Sequence, residues 1–309
     1  MLLVTGATGF LGSNVMKAIA GPERHGKGTI ILAPDYENAR KMYPKYRIIR
    51  GDITRPGMLD ELKKAAKDID TVIHLAGMVS YTQPKDALFE VNVEGTRAVL
   101  EACPHAKKII FSSSVSVYGE ITGMADESYP LSPENFYGWS KLEAEKLIAD
   151  AGVRSVIFRI APIYGAGSPQ WLKNLKLLEK GFPIPNTENL THVTHISNAV
   201  QAFRLALKPK ASGLYNIADE KPVKFTEFAS ELVRLLGRQP KVMPYWLVSL
   251  AAGMRGMGTY LKVLTMNRNY DVTKAEKEMG YKPEVDFESE LKKMIEWYRQ
   301  TKQKTKEKG

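Results

Sequence analysis

Thr5-Gly6-Ala7-Thr8-Gly9-Phe10-Leu11-Gly12, TGATGFLG, follows directly on the apolar run Leu2-Leu3-Val4 and runs into a segment with helical periodicity. Each glycine serves a different need. Gly6 can make a tight turn out of a strand, Gly9 lets the backbone approach a pyrophosphate, and Gly12 lets the next helix pack against a sheet. Amides at that helix N-terminus then point at the phosphates, where the helix dipole favours negative charge. Loops are rich in glycine, so the triplet alone says little. An apolar strand before it, an amphipathic helix after it and a second strand beyond make it a dinucleotide fingerprint.

The pattern continues outward. LLVT (2–5), TIILA (29–33), YRIIR (46–50), TVIHLA (71–76), KIIFSS (108–113) and SVIFRI (155–160) read as strands, rich in Ile and Val and bounded by Gly, Asp or Pro. Their apolarity is continuous, which suits strands buried on both faces of a parallel sheet. Between them FLGSNVMKAIA (10–20), PGMLDELKKAA (56–66), PKDALFEVNVEGTRAVLEAC (84–103) and NFYGWSKLEAEKLIADA (135–151) carry apolar residues at helical spacing. Strands alternating with helices predict an α/β fold with a doubly wound parallel sheet, here over residues 1–160. Beyond about residue 160 Pro, Gly and Asn cluster and the segments turn mostly helical. Residues 161–301 are expected to form a smaller, discontinuous substrate lobe over the carboxyl edge of the sheet, with part of the chain free to return to the sheet. The lysine-rich end, 302–309, reads as a disordered basic tail.

Composition narrows the function. The single cysteine, Cys103, permits no internal disulfide, so stability does not need an oxidising compartment. The glycines follow the first strand so closely that no leader peptide is expected, and a cytoplasmic protein is the natural reading. No apolar run is long enough to span a membrane. The net charge of +10 raises nucleic acid as a partner, but the lysines are scattered and no basic patch is interleaved with aromatics, so none is expected. A basic surface does favour anionic ligands, a phosphorylated cofactor among them.

The Gly-x-x-Gly-x-x-Gly spacing resembles that of the extended branch of the short-chain dehydrogenase/reductase superfamily, and the resemblance runs through most of the chain. Gly51-Asp52-Ile53 matches its GD step, where the Asp meets the adenine. HLAG (74–77) matches its fourth-strand motif beside the cofactor, and Asn92 its helix Asn. SSSVSVYG (112–119), YGWSK (137–141) and YNIAD (215–219) match its catalytic strand, catalytic helix and C-terminal step. The resemblance implies a Rossmann-type domain and NAD or NADP held by Gly6, Thr8, Gly9, Phe10, Leu11, Gly12, Asp35, Arg40, Asp52, Ile53, Leu75, Ala76, Gly77, Ser112, Ser113, Tyr137, Lys141, Pro162 and Ile163. An acidic residue at the tip of the second strand binds ribose hydroxyls, whereas a basic one accepts the extra phosphate of NADP. The tip reads LAPDYENAR: Asp35 favours NAD, with Arg40 and Lys41 following on the next helix. The family's helix pairing also allows a homodimer.

Tyr and Lys four apart on a helix share one face, and an ammonium beside a phenol favours the phenolate. Lowering a Tyr pKa from about 10 to about 7 is roughly 4 kcal/mol of differential stabilisation. Tyr-x-x-x-Lys occurs at Tyr81/Lys85, Tyr137/Lys141 and Tyr270/Lys274. Pro84 interrupts the first, and the third lies far along the chain from the sheet edge. Only Tyr137/Lys141 follows a serine-rich strand end. By resemblance the catalytic set is Ser114, Tyr137, Lys141 and Asn92. Ser114 orients the substrate oxygen with Ser113 as its rival, and Asn92 keeps the helix and a water in place.

Extended members include nucleotide-sugar epimerases and dehydratases as well as sterol and flavanol reductases. The sugar enzymes commonly carry RxxNVYG after the sixth strand and an Arg ahead of VxD. Here the first reads RIAPIYG, with Pro162 in place of Asn, and the second LTHVTHISNAVQA, with Thr191 near the expected Arg and Asn198 for Asp. HISNAVQA and NYDVTKAEKEMGYKP (269–283) resemble the 3β-hydroxysteroid dehydrogenase-like subgroup. The expected activity is therefore an NAD(P)-dependent oxidoreductase acting on a hydroxyl or ketone of a hydrophobic small molecule. A nucleotide-sugar epimerase or dehydratase is the alternative, and a cofactor-binding regulator without turnover the third reading. His192 and His195 lack further ligands, so no metal is expected. The apolar, Met-rich stretch 244–266 reads as a helix pair packing over the sheet, or as an oily lid on a lipid-like substrate that touches a membrane surface.

Overall fold

Seven short segments, most of them rich in Ile and Val, line up as one parallel sheet in the computed structural model, which describes residues 1–19 and 28–306. They are β1 (Leu2–Thr5), β2 (Thr29–Ala33), β3 (Arg47–Arg50), β4 (Thr71–His74), β5 (Lys108–Ser114), β6 (Arg154–Ile160) and β7 (Gly213–Ile217). The spatial order is β7-β6-β5-β4-β1-β2-β3. Succession reverses between β1 and β4, the crevice at which such sheets bind ligands. Registers run Leu3↔Val72 and Leu3↔Ile30 on the two sides of β1, so the centre of the sheet is buried on both faces.

Helices α1 (Phe10–Ile19), α2 (Tyr36–Met42), α3 (Asp60–Ala65), α4 (Lys85–Phe89), α5 (Gly95–Ala102) and α6 (Phe136–Asp150) alternate with the strands. The periodic segment 84–103 is not one uniform helix: α4 and α5 are joined by a π turn over Glu90–Glu94. Position 20, expected to close the first helix, lies outside the described residues. One apolar layer gathers α1 and α8 (Ile196–Ala206) on one face of the sheet, and the other gathers α3, α5 and part of α6.

The remaining helices are α7 (Pro169–Glu179), α9 (Phe225–Leu235), α10 (Tyr245–Met254), α11 (Gly258–Thr265), α12 (Thr273–Met279) and α13 (Phe287–Lys306). Trp171, Leu175, Phe228, Leu232, Leu291 and Tyr298 form a separate core for α7, α9 and α13. β7, α8 and α12 return to the sheet instead, so the lobe expected at 161–301 is laced through the first layer. The disordered tail expected from residue 302 is corrected as far as 306: α13 continues through Lys306, and Lys302 donates to Glu179 Oε1 at 2.6 Å. Residues 307–309 lie outside the described residues. Stretch 244–266 folds as the helix pair α10 and α11.

Candidate active site

The glycine loop is shaped by sterics. Gly6 has φ +68°, and a Cβ there would lie 2.5 Å from Ala76 N. A Cβ on Gly12 would lie 2.0 Å from Gly6 O, so the loop and the first turn of α1 touch backbone to backbone. Thr8 and Gly9 lead into α1, which Phe10 and Leu11 open; the first amides of a helix have no partner within it and suit an anion. Leu75, Ala76 and Gly77 follow β4 alongside, with Ala76 N donating to Thr5 Oγ1 at 3.2 Å. Asp35 stands exposed beyond the tip of β2 and caps α2 by accepting from Asn38 N at 3.0 Å; Arg40 is exposed one turn on. Asp52 follows β3, its Oδ1 accepting from Thr54 N and Oγ1. Ile53 is a core residue, packed where a Cβ on Gly95 would meet its Cδ1 at 2.7 Å, so its side chain faces the interior. Pro162 and Ile163 come just after β6, where Pro162 O accepts from Thr194 N and Ile163 O from Trp171 Nε1.

Beside this cradle β5 ends in three serines with different fates. Ser112 is partly exposed. Ser113 donates to Glu145 in the interior, which ties its hydroxyl to α6. Ser114 caps the 3-10 turn Val115–Val117 and lies within hydrogen-bonding reach of the Tyr137 phenol. Asn135 caps α6 by accepting from Gly138 N at 2.8 Å. A Cβ on Gly138 would sit 2.4 Å from Ser116 O, so the glycine after Tyr137 is what lets α6 rest on that turn and bring Tyr137 to Ser114.

Lys141, one turn on, places its ammonium 4.2 Å from the centre of the Phe111 ring. A Cβ on Gly77 would come within 3.8 Å of Lys141 Nζ and 3.0 Å of Asn92 Oδ1, so the bare glycine of HLAG borders both. Asn92 sits in the π turn, accepts from Met78 N at 2.7 Å and donates to Met78 O and Ser140 Oγ, both at 2.9 Å. It thereby ties the loop after β4 to the helix of Tyr137. The π turn is fixed from behind. Thr96 donates to Asn92 O, so His74 Nε2 donates to Thr96 Oγ1 at 3.0 Å and His74 Nδ1 accepts from Thr5 Oγ1 at 2.7 Å. Full burial, then Lys141, hold the His74 pKa down to about 3, so it keeps this neutral tautomer.

The electrostatics differ from the expectation that Lys141 draws the phenol down. Burial, followed by the Tyr81 ring packed edge-on at 5.9 Å, raises the Tyr137 pKa, and Ser114 offsets this only in part. Burial lowers Lys141 from 10.5 to about 7, against an opposing pull from Glu145. The protein groups alone therefore keep Tyr137 a neutral proton donor. Below pH 7 Lys141 is charged in folded and unfolded chains alike and the burial cost is fully present. Between about 7 and 10.5 the unfolded chain holds more protons, so this group makes stability rise with pH. A shift of that size is worth about 5 kcal/mol. Lys141→Met is expected to unfold at higher temperature than the wild type at about pH 6, the gap closing toward about pH 10. Thermal melts across that range check it; a gap that widens with pH refutes it.

Sequence reasoning missed several neighbours. Glu145 lies four residues after Lys141 on the same helix and pairs with Arg159 of β6 at 2.7 Å, both nearly inaccessible. Arg159 Nη1 also donates to Tyr118 Oη at 3.0 Å, and Tyr118 donates to Asn216 Oδ1 at 2.7 Å, which gives the YN step a structural use. The signal was a charged residue inside an apolar strand. α11 was not placed at the site either. Lys262 pairs with Glu134, just ahead of α6, at 2.6 Å. Tyr260 donates to Asn174 and lies near Tyr81. Tyr260 also lines an apolar cleft with Trp171, Phe182, Phe228, Met257 and Leu264. No charged residue lines it, and its polar side chains, Asn174 and Tyr260, are bonded to each other.

His192 accepts from Tyr270 N at 3.1 Å and donates to Asp219 O at 2.8 Å; burial lowers its pKa to about 4. His195 caps α8 and faces Glu290 at 3.2 Å. Among the described residues no group of three or more His, Cys, Asp and Glu is arranged to hold a metal. No helix there is long and apolar enough to cross a membrane.

Comparison with known proteins agrees with this layout. A model of the NAD dependent epimerase/dehydratase family matches residues 2–218. The 3beta-hydroxysteroid-dehydrogenase/decarboxylase isoform 1 of Arabidopsis thaliana is 30% identical across 76% of this chain and 64% of its own. For isoform 2, at 27% identity, the chain spans only half the relative's length. The decarboxylating sterol-4-alpha-carboxylate 3-dehydrogenase of Schizosaccharomyces pombe is 27% identical with 96% of both chains covered. Among solved structures, DesIV, a dTDP-glucose 4,6-dehydratase from Streptomyces venezuelae with NAD and TYD bound, is 25% identical, covers 98% of both chains and gives a TM-score of 0.78. The matched segment runs from the first strand of the sheet past the last, and the chain belongs to the NAD dependent epimerase/dehydratase family.

Proposed function

We propose that this chain is an NAD(P)-dependent oxidoreductase that interconverts a hydroxyl and a ketone on a hydrophobic, sterol-like small molecule. The single observation that carries it is the meeting of Ser114 and Tyr137 next to Lys141 at the glycine-loop edge; an apolar cleft lined by Trp171, Phe228 and Tyr260 in the C-terminal part of the chain offers room for such a substrate. The cradle fits a dinucleotide: at Gly6 and Gly12 any Cβ would strike backbone, and the loop leads into the N-terminus of α1, where unpaired amides suit phosphates. Asp35 would take the ribose hydroxyls and makes NAD the favoured form. When bound, the nicotinamide supplies the hydride acceptor or donor.

The chain's own part is proton handling and placement. Ser114 Oγ holds the substrate oxygen, and the Tyr137 phenol exchanges a proton with it. Lys141, near the edge of its titration at neutral pH, holds the cofactor ribose and adjusts the charge beside the phenol. Asn92 and the His74 relay keep both helices in register. The apolar cleft takes the body of the substrate. Relatives that act on 3beta-hydroxysteroids and sterol carboxylates agree with this reading. The nucleotide-sugar reading draws on the fold shared with DesIV, but a diphosphate would find no cation lining the cleft.

An absorbance screen at the reduced-nicotinamide band, with both cofactors against sterols, flavanols and nucleotide sugars, tests the assignment. The expected result is turnover of a 3-hydroxysterol or its ketone with NAD. Tight binding of uridine or thymidine diphosphate together with sugar turnover would overturn it.

A further inference from the structure

Among the described residues the outer face of α10 has no partner. Trp246, Leu250 and Met254 are spaced four apart, so they form one stripe, and they are 65%, 60% and 75% exposed. Tyr245, Val242 and Met243 extend the patch at its N-terminal end. Soluble surfaces rarely leave apolar side chains of this size contiguous without use. The inner face of the same helix, Val248 and Ala252, packs on Leu261, and Ala252 lines the apolar cleft. One helix therefore separates the cleft from the exposed patch.

Charge decides the occupant. From Leu232 to Tyr270 the chain has no Asp or Glu; of its cations there, Arg234 and Lys262 pair with Glu231 and Glu134 and Arg268 is buried, while Arg238, Lys241 and Arg255 stand exposed. Lys241 and Arg255 are exposed at the two ends of the patch. An apolar stripe with an aromatic residue at its head, flanked by cations in an acid-free segment, matches the headgroup boundary of an anionic bilayer. A second copy of this chain would bring the same cations against themselves, which disfavours self-pairing through this face.

We infer that α10 is a docking helix that seats this protein on an anionic lipid surface through Trp246, Leu250 and Met254. Docked this way, the cleft lies behind the helix in contact with the bilayer, and a lipid-borne substrate reaches it without crossing water. This last point rests on the proposed function; the docking does not.

The full-length protein is mixed with vesicles of phosphatidylcholine alone or with added phosphatidylglycerol and floated on a density gradient. Association at least about tenfold stronger with the anionic vesicles is expected. Brominated lipid should quench tryptophan emission, and Trp246→Phe should abolish the quenching while leaving Trp139, Trp171 and Trp297. Trp246→Ser with Leu250→Ser and Met254→Ser should lose flotation and keep the unfolding midpoint, because these side chains are already in water. No flotation, equal flotation of the triple variant, or a dimer in sedimentation that the triple variant dissolves would each overturn the inference. Flotation is read without turnover, so failure of docking and failure of the proposed activity are distinguishable.

Discussion

Tyr137→Phe is expected to lower kcat by about 10³-fold on whichever alcohol or ketone the wild type accepts. The variant removes only the phenolic oxygen. Tyr137 is buried, its ring stays packed against Tyr81, and Gly138 still rests on Ser116 O. The fold and the glycine-loop cradle are therefore retained, and cofactor affinity should stay within about threefold of the wild type. The unfolding midpoint should change little, since the neutral phenol gives up only its hydrogen bond with Ser114, worth about 1 kcal/mol. Steady-state kinetics beside a cofactor-binding titration checks it. Residual turnover within about tenfold of wild type would remove Tyr137 from the proton-transfer role and leave Lys141 to be considered in its place.

Glu145→Ala should carry the largest cost in stability, about 3–5 kcal/mol. The substitution strands Arg159, which sits at 3% exposure and accepts no substitute from solvent. It also deprives Ser113 of its partner. Exchanging both charges, Glu145→Leu with Arg159→Met, should recover much of the loss, because a well-packed apolar pair avoids the desolvation that the ion pair must offset. Urea unfolding of the three variants reads this directly; a single-variant loss under about 1 kcal/mol would show that the pair does not hold α6 to β6. Glu145 also raises the Lys141 pKa, so Glu145→Gln should move the alkaline limb of the pH–rate profile downward.

Much of this site was readable because its chemistry needs short local patterns. TGATGFLG, HLAG and YGWSK each place backbone or side chains within a turn of one another, and a sequence displays turns directly. The strands were readable because both faces of the sheet are covered, which makes them continuously apolar. What stayed hidden depends on distant pairing. Ser113 and Ser114 look equivalent until Glu145, thirty-two residues on, ties one of them to α6. The π turn at Glu90–Glu94 has an ordinary helical pattern, and its use shows only when Asn92 meets Ser140. Ile53 follows the GD step, and Gly95 opens a socket for its side chain in the core. The expected depression of the Tyr137 pKa was local reasoning defeated by burial, a property of the whole fold. α11 reaches the catalytic helix through one ion pair, Lys262 to Glu134, which spans more than a hundred residues of chain and leaves no periodic trace.

The strand β7 pairs with β6 from Gly213↔Val156 to Ile217↔Ile160. A ribosome that has released only the first two hundred residues holds a sheet with a bare rim, its Phe158 still waiting for Tyr215 and Phe203. That rim is sticky until the later segment emerges, so synthesis and maturation of this protein are coupled over more than fifty residues of translation. Cutting the gene near codon 160 would yield two fragments, neither able to finish its interior without the other.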